Sequence, residues 1–440
     1  MLLLYTPETS SRSDYIFDLL LTDILGAELR VTTLKDEFTG YPGPKINYSK
    51  TSMEQGIFII PSGLLMENEI APIDPEVTLI NEVPVLFPVD DIHASLPFDI
   101  FSAAFFLVTR YEEYFPLKRD AEGRYRPEES LAHRFNFLHL PVINIWCGQL
   151  SGLLQLMCPG FVTVKPSFCF IPSIDIDHAY AYRQRGMFRG IGGFGRAVLK
   201  RRWKEVLLRI KVLFDLCSDP FDVYDELMEL HTRHNLQSLY FILFADYGGN
   251  DNGVITNGRL FQQLLLKLDE QGTVGIHPSC ASNTNFALLE NETFGLSNYI
   301  GRDILVSRQH FIKLSFPDTY RRLIQVGITD DYSMGYASMP GFRAGIANPF
   351  PFYDLLSGTR TELKVHPFAF MDVTFRNYLK LDVHESLAQI SRLVDAVHSV
   401  NGELISLWHN EALSEIEGWE GWRWLYGSFL DYVSKKSGRQ

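Results

Sequence analysis

The stretch FCFIPSIDIDHAY, residues 168–180, decides the fold. Its apolar first half is typical of a buried strand. Asp175 and Asp177 then follow two residues apart, with His178 directly after them. Residues two apart on a strand project from the same face, so both carboxylates would point the same way. An apolar strand that ends in two such carboxylates and an imidazole predicts a chemical site at the end of that strand.

Strand-like and helix-like runs alternate along the chain from about residue 166 onward. The strand-like runs after the first one are SLYFILFADYG, TVGIHPS, DILVSRQH, ITDDYSMGY and ELISLWHNE, with helical stretches between them. Such repetition with short connections is typical of a parallel α/β domain. Six or seven strand–helix units over this length favour a (β/α) barrel over an open sheet.

The first 165 residues have a different, mixed pattern. GIFIIPSGLL and VPVLFPV predict short buried strands, and FDIFSAAFFLVTRYEEYF predicts an amphipathic helix. We therefore expect two domains, an N-terminal α/β accessory domain at 1–165 and a barrel domain at 166–440. The polar residues of the first domain are interpreted as surface salt bridges rather than a site; they include His93, Arg110, Glu112 and Glu113.

The composition excludes several classes of protein. The 440 residues carry a net charge of −13, which argues against a general nucleic-acid binder. The five cysteines form no CxxC pair, so a disulfide framework or a thiolate zinc site is not expected. MLLLYTPETSSR predicts a first strand rather than a signal peptide, and we find no run that is long and apolar enough for a membrane span. We expect a soluble cytoplasmic protein, and the oligomeric state stays open.

Functional residues of parallel α/β folds gather at the carboxyl ends of the strands. The polar residues at these positions are Asp175, Asp177, His178, Asp246, His277, Ser279, Ser307, Arg308, Gln309, His310, His409 and Asn410. Several imidazoles and carboxylates meeting at one mouth would leave unpaired polar groups unless something binds them. A divalent cation held by carboxylate oxygen and neutral imidazole nitrogen satisfies them and leaves positions for water and substrate. A purely structural polar cluster is the alternative.

These motifs resemble those of the NodB-type polysaccharide deacetylases, carbohydrate esterase family 4. The segments that carry the resemblance are DIDHAYAYR, DPFDVYDELMELH, GIHPSCASN, SRQHFIKLSFPDTYRRL, DYSMGYASMPGFRAG and LWHNEALS. FFLVTRYEEYF resembles the extra N-terminal domain of a divergent bacterial branch that is associated with surface polysaccharides. The resemblance implies a deformed (β/α) barrel preceded by a smaller α/β domain. It also implies metal-dependent removal of N-acetyl groups from a sugar of a bacterial surface polysaccharide or its precursor.

The resemblance also implies a role for each matching residue. Asp175 would be the general base that takes a proton from the attacking water, and Arg308 would keep that carboxylate ionised and aimed. Asp177 and His277 would be metal ligands. His409 would be the acid that protonates the leaving amine. This division of roles is chemically sound, because a carboxylate base needs an acidified water and an amide nitrogen needs a proton when it leaves.

Two positions depart from the family pattern. The family has adjacent aspartates, whereas Ile176 separates them here. The family also has a second histidine four residues after the first, and here that position is Ala281, which cannot bind a metal. We take His310, at the end of the next strand, as the replacement ligand, because it lies two residues after Arg308 and would share a strand face with it; His178 is the fallback. Two histidines and one carboxylate suit zinc, and cobalt, nickel or iron would also fit.

Other segments give weaker predictions. Arg343 and Tyr336 are candidate substrate contacts, and His366 and Asp372 are minor candidates. GIGGFG, from Gly190 to Gly195, matches GxGxxG but follows a polar stretch instead of a strand, so it predicts a loop over the barrel mouth rather than a nucleotide site. The basic stretch 196–211 predicts either an ordinary surface helix or a patch for peripheral contact with an anionic glycan or membrane leaflet.

Two other functions stay open at this point. An enzyme of the same fold could cleave an ester or a non-glycan amide. A non-catalytic glycan-binding or assembly protein could keep the deacetylase fold and lose the metal, and the missing histidine at Ala281 favours that alternative. The expected partner in either case is an N-acetylated glycan or its precursor, lipid-linked or nucleotide-linked if the protein is cytoplasmic.

Overall fold

The computed structural model describes residues 1–53, 56–116, 118–163, 166–183, 187–245 and 258–438. The strands are β1 Leu2–Tyr5, β2 Leu29–Thr32, β3 Lys45–Tyr48, β4 Ile57–Ile59, β5 Val77–Ile80, β6 Val83–Leu86, β7 Cys169–Ile176, β8 Ser238–Ile242, β9 Gly272–Ile276, β10 Val306–Ser307, β11 Asp330–Met334, β12 Phe350–Asp354, β13 Thr359–Pro367, β14 Phe370–Met371 and β15 Glu403–His409.

The α-helices alternate with these strands in the second part of the chain. They are α1 Ser11–Phe17, α2 Lys35–Gly40, α3 Ile100–Val108, α4 Leu131–Arg134, α5 Val142–Met157, α6 Met187–Leu199, α7 Trp203–Leu213, α8 Tyr224–Arg233, α9 Arg259–Gln271, α10 Phe286–Ile300, α11 Asp318–Gln325, α12 Val383–Ser399 and α13 Trp422–Lys436. Two π-helical segments, Asp18–Ile24 and Thr374–Tyr378, and several single 3-10 turns complete the chain.

Nine strands form the large sheet, in the order β12-β13-β11-β10-β9-β8-β7-β15-β14. Every neighbouring pair in it is parallel except β12 with β13. The sheet curls into a half-barrel, as twisted parallel strands covered by helices do. The predicted parallel α/β class is confirmed. In the described residues the curled sheet has two edge strands, β12 and β14, instead of closing into a ring.

A separate sheet of four parallel strands, in the order β2-β1-β3-β4, and the hairpin β5-β6 lie in the first part of the chain. The strands predicted at the start of the chain, in GIFIIPSGLL and in VPVLFPV are confirmed as β1, β4 and β6. The predicted amphipathic helix is α3, and the prediction of an exposed polar face on it is wrong. All nine of its side chains are buried, within a hydrophobic core that also contains residues of α1, β6 and β12.

One continuous hydrophobic core includes residues from both sheets. Tyr15 in α1 and Phe105 in α3 pack against Tyr353 in β12, with ring centroids 4.9 Å apart for Tyr15–Tyr353 and 5.3 Å apart for Phe105–Tyr353. The first part of the chain is therefore packed directly on an edge strand of the large sheet. The predicted boundary near residue 165 separates two sheets that share a core, and their status as two domains stays a prediction.

Four further predictions concern the rest of the chain. GIGGFG lies inside α6, so the predicted loop at 190–195 is wrong. None of the five cysteines forms a disulfide bond, as the scattered spacing predicts. Within the part of the chain that the structure describes, no helix has the length and apolar character needed to cross a membrane. Asp246, which was expected to follow a strand end, lies outside the described residues.

Candidate active site

Strand register brings the predicted residues together at the carboxyl end of the large sheet. Asp175 on β7 is level with His409 on β15. On the other side of β7, β8 and β9 follow in register, so His277, directly after β9, lies at the level reached by Asp177. Ser307 on β10 is level with Ile276, which places Arg308 beside His277. The side chains are distant in sequence. They are adjacent in space because parallel strands end at the same edge of the sheet.

Asp177, His277 and His310 form the centre of the site, which we call the trio. Each offers one donor atom, and the three donor atoms lie within 4.8 Å of one another. Nε2 of His277 is 3.3 Å from Oδ1 of Asp177, and Nε2 of His310 is 3.6 Å from Oδ2 of the same carboxylate. An ion bound at about 2.1 Å from each donor requires donors no more than about 4.2 Å apart, and both distances meet that condition.

The trio has the electronic features of a cation site. Nδ1 of His277 donates to the carbonyl oxygen of Arg308 at 2.5 Å, which orients the ring so that Nε2 faces Asp177. Oδ1 of Asp177 is buried, lies 3.3 Å from Nε2 of His277 and has no hydrogen-bond partner among the described residues. A buried oxygen without a partner is costly, and a cation would satisfy it.

The two imidazoles also hold the trio's carboxylate ionised. Burial alone would raise the pKa of Asp177, but His310 and His277 hold it well below its ordinary value. The side chain of Asp177 is 21% exposed, whereas that of His277 is 2% exposed. The trio is therefore a buried set of donors that opens to the outside through Asp177.

His310 joins the trio for a different reason than strand geometry. β10 ends at Ser307, so Arg308 and His310 lie beyond the strand and the same-face argument from their spacing does not apply. His310 begins a 3-10 turn in which Phe311 has a left-handed φ of 58°. Its ring is 4.9 Å from that of His277. His178, the fallback ligand, is not part of the trio and lies 3.7 Å from Glu411.

Asp175 and Arg308 form a fully buried ion pair beside the trio. Nη1 of Arg308 donates to Oδ1 of Asp175 at 2.8 Å and to the hydroxyl of Ser173 at 2.7 Å. Nε of Arg308 donates to the carbonyl of Tyr332 at 2.9 Å. The other carboxylate oxygen, Oδ2, faces Nε2 of His277 at 3.8 Å. Asp175 thus presents one oxygen to the arginine and the other to the trio.

His409 also faces Asp177 and has the buried carboxylate of Asp372 behind it. Nδ1 of His409 donates to Oδ1 of Asp372 at 2.8 Å, and its backbone N–H donates to Oδ2 at 2.7 Å. Nε2 points toward Asp177, 4.0 Å from Oδ2. Burial alone would lower the pKa of His409, but Asp372, with smaller contributions from Asp177 and Asp175, raises it to about 10. His409 is therefore an imidazolium at neutral pH.

Asp372 was only a minor candidate from the sequence, whereas in the structure it contacts His409. Asp372 directly follows β14, so the rule used for the other strand ends applies to it as well. The strand is only two residues long, and no amphipathic helix pattern directly after it marks it as a strand–helix unit. His366, the other minor candidate, lies elsewhere, between Asp330 at 2.8 Å and Glu403 at 3.1 Å. These two carboxylates begin β11 and β15, at the opposite end of the sheet.

The two candidate substrate contacts belong to a separate buried cluster. Both guanidinium edges of Arg343 are occupied, because Nε and Nη2 donate to Glu113 at 2.9 and 2.5 Å and Nη1 donates to the carbonyl of Gly335 at 3.0 Å. Arg110 also donates to Glu113, at 2.8 Å, and lies 3.4 Å from the hydroxyl of Tyr336. Arg110 and Glu113 are buried, so their interpretation as surface salt bridges is wrong. Substrate contact by Arg343 and Tyr336 stays a prediction.

A loop of the first part of the chain reaches the turn that carries His310. Arg124 is almost fully buried and donates to the carbonyl of Phe311 at 3.3 Å and to the hydroxyl of Tyr378 at 2.9 Å. Asp120, at 2.6 Å, orients its guanidinium. The left-handed backbone after His310 is therefore held by a residue from the N-terminal part. The sequence gives no signal of this contact, because the two segments are 187 residues apart.

Comparisons with known proteins add two findings. Residues 2–159 match DUF7033, a family of unknown function. No curated protein matches the chain significantly. Among solved structures, one similar chain carries the description "Crystal structure of putative polysaccharide deacetylase from Mycobacterium smegmatis"; it is 10% identical, with a TM-score of 0.40, and the match covers 62% of this chain and 86% of that one. At this identity and TM-score the likeness identifies neither an activity nor a substrate.

Proposed function

We propose that the protein is a metal-dependent hydrolase that removes N-acetyl groups from a sugar of a bacterial surface polysaccharide or its precursor. The observation that carries the proposal is the order of groups at one strand edge. Asp175, a carboxylate held by an arginine, lies 3.8 Å from His277 of the trio, and His409, an imidazolium held by a carboxylate, lies 4.0 Å from Asp177 of the trio. A base, a cation site and an acid in contact are what the hydrolysis of an amide requires.

The residues present fit a divalent cation. Asp177, His277 and His310 would hold it, and the unpartnered Oδ1 of Asp177 is the atom that most needs it. When bound, such a cation supplies the positive charge that acidifies water and polarises a carbonyl group. Two imidazole nitrogens and one carboxylate oxygen favour zinc, and cobalt, nickel and iron accept the same donors.

Asp175 is the proposed general base. Its Oδ2 faces the trio, 3.8 Å from Nε2 of His277, and would accept a proton from water there. Arg308 holds the other oxygen at 2.8 Å and keeps the carboxylate plane fixed. Arg308 is in turn held by Ser173 and by the ring of Phe241, 4.4 Å from the guanidinium carbon. Asp175 is therefore aimed before substrate arrives.

His409 is the proposed general acid. Its pKa of about 10 means that it carries the proton at neutral pH. The proton on Nε2, the nitrogen that faces Asp177, is the one available to a leaving amine, because Nδ1 is committed to Asp372. A cation in the trio would repel this positive charge and bring the pKa closer to neutrality. Water is consumed, the C–N bond breaks, and acetate and an amine are released.

The proposed substrate, an N-acetylated sugar, comes from the motif resemblance. The chemistry of the site indicates the kind of bond that is cleaved. The acid–base pair suits an amide, since an amine leaves only when protonated. The glycan-binding alternative drew its support from Ala281, which lacks a donor. His310 supplies a third donor next to His277, and this supports the hydrolase over that alternative. We further propose that residues 1–165 form an accessory domain of the barrel at 166–440.

Acetate release tests the proposal. Metal-loaded wild-type protein is incubated with N-acetylated oligosaccharides, and acetate and free amine are measured. We expect release that a chelator abolishes and added metal restores, with a loss in Asp175→Asn. Release from an acetyl ester alone would point to an esterase. A wild-type protein that contains one ion per chain and releases no acyl group from any N-acetylated sugar tested would contradict the proposed activity.

A further inference from the structure

Helix α7 turns an apolar stripe toward solvent. Trp203, Leu207, Ile210 and Phe214 recur at the spacing of one helix face and are 63%, 54%, 36% and 74% exposed. In an ordinary surface helix this face would be the buried one. Single exposed apolar residues are common, but a row on one helix face marks a surface that contacts something else.

The opposite face of α7 already binds the protein. Val206 and Val212 are buried. Arg209 lies over the ring of Tyr182 at 4.6 Å and pairs with Glu205 at 2.9 Å. α7 is thus packed on the protein through a face other than the apolar stripe. The stripe is therefore not the face by which α7 joins the hydrophobic core.

The stripe continues into the neighbouring segments. Leu199 at the end of α6, Leu213 at the end of α7 and Leu216 after it are all exposed. Together with the four residues of the stripe, they give seven large apolar side chains in the exposed set between residues 199 and 216. We call this set the apolar surface of α7.

Basic residues surround the apolar surface of α7. Between Arg196 and Leu216 the sequence has seven basic and two acidic residues, although the whole chain has a net charge of −13. Both acidic residues are engaged, Glu205 with Arg209 and Asp215 with Arg183. The exposed basic residues are Arg196, Lys200, Arg201, Arg202, Lys204 and Lys211. The surface therefore combines apolar bulk with positive charge.

We propose that the apolar surface of α7 docks on a lipid bilayer that contains anionic headgroups, with α7 lying in the plane of the interface. Large apolar side chains beside lysine and arginine are the pattern of helices that insert one face into a bilayer and pair their rims with anionic lipid. An anionic glycan would be held by the basic residues and would leave the apolar stripe exposed. A second copy of the chain would bring like charges together across a two-fold contact.

The position of α7 relates this surface to the trio. Tyr182, which supports Arg209, lies five residues after Asp177 on the segment that leaves β7. Membrane docking would therefore hold the segment that follows the site-bearing end of β7 close to the bilayer. This consequence rests on the proposed function, whereas the docking itself does not.

Co-sedimentation with vesicles tests the docking. We expect the full-length protein to sediment with vesicles of phosphatidylcholine mixed with phosphatidylglycerol, to bind vesicles of phosphatidylcholine alone much less, and to lose binding as salt is raised. Replacing Trp203 and Leu207 together by serine should weaken partition at least about tenfold. Lys204→Glu with Lys211→Glu should have a similar effect. Trp424→Ser, at another exposed tryptophan, is the matched control and should bind as the wild type does.

Circular dichroism and metal content of each variant establish that it is folded, which is expected because the changed side chains are exposed. The docking proposal is overturned if the wild-type protein stays in solution with anionic vesicles. It is also overturned if only the lysine variant loses binding, since that identifies a purely ionic ligand such as an anionic glycan. The docking proposal is overturned as well if the wild-type protein elutes as a dimer and binds no vesicles, and the serine variant no longer elutes as that dimer.

Discussion

The molecule contains two buried arginine–carboxylate pairs that look alike and differ in what they leave unsatisfied. Arg343 and Glu113 form one, and Arg308 and Asp175 form the other; all four side chains are nearly inaccessible. In the first pair both carboxylate oxygens receive N–H donors from Arg343, and Arg110 adds another. In the second pair only one carboxylate oxygen is held by the arginine, and Nη2 of Arg308 has no hydrogen-bond partner among the described residues.

This difference separates a structural cluster from a chemical one. A fully satisfied buried ion pair fixes the packing of the segments that carry it. The second pair keeps one oxygen beside the imidazole of His277 and near the unpartnered Oδ1 of Asp177, so it has capacity for a cation and a proton. The two clusters are alike in burial and charge. They differ in how many of their hydrogen-bond donors and acceptors have partners.

The sharpest way to separate the clusters is to neutralise the carboxylate of the second pair. Asp175→Asn keeps the shape of the side chain and removes the proposed base, so we expect acetate release to fall by about 10²- to 10⁴-fold. Bound metal should stay at the wild-type level, because Asp175 is not one of the trio. Steady-state rates with metal analysis check this. Full activity in Asp175→Asn would remove the distinction between the clusters.

The corresponding change in the first pair should affect folding and leave the chemistry intact. Glu113→Gln leaves Arg343 and Arg110 with a neutral partner in a buried place, and we expect the free energy of unfolding to fall by about 3–5 kcal/mol. Denaturant titration measures this loss. Metal affinity measured well below the unfolding transition should be unchanged. If Glu113→Gln were as stable as the wild type but bound no metal, the first cluster would belong to the site.

Removing the carboxylate behind His409 tests the acid. Asp372→Asn takes away the main influence that raises the pKa of His409 to about 10, so that pKa should fall and activity should drop by about 10- to 100-fold. NMR titration of the imidazole in metal-free protein follows the pKa. An unchanged titration would mean that Asp372 does not control His409.

The same change gives a stability effect with a definite sign. The raised pKa of His409 stabilises the folded state fully below the ordinary imidazole value of 6.5, and this contribution is lost as the pH rises through about 10. The destabilisation of Asp372→Asn relative to wild type should therefore be largest at acidic and neutral pH and should shrink in alkali. Thermal unfolding of the metal-free proteins at several pH values measures it.

The smallest expected effect concerns the contact between the first part of the chain and the turn of His310. Arg124→Gln removes the charge that holds the carbonyl of Phe311, and we expect metal affinity to fall by about tenfold. Arg124→Lys should recover part of the loss, since lysine can still donate to that carbonyl. Arg134→Gln, at an exposed pair with Asp74, is the matched control. Equal metal affinities in all three variants would show that the N-terminal part of the chain does not influence the site.

The sequence predicts the parallel sheet and most of the site because both follow from local patterns. Apolar runs that end in aspartate, histidine or arginine mark strand ends, and parallel strands bring those ends together. His310 was predicted as the replacement ligand, although the reason given, alternation on a strand, does not hold beyond Ser307. The position of its imidazole depends on a left-handed turn, which no sequence pattern announced.

The parts that the sequence did not predict depend on contacts between distant segments. Glu113 was taken for a surface residue because its partner Arg343 is 230 residues away. The burial of α3 has in part the same origin, since Phe105 packs against Tyr353 of β12. Asp372 could have been found, because it follows a strand, but a two-residue strand without a clear helix pattern directly after it gives little signal.

Binding of a single divalent cation by the trio is the central claim, and calorimetric titration of metal-stripped protein with Zn²⁺ tests it most directly. The account predicts one ion per chain for the wild type and no measurable binding for a folded Asp177→Ala variant, with Glu113→Asp retaining the site. Absence of binding in the wild type, or binding that Asp177→Ala leaves unchanged, would contradict it.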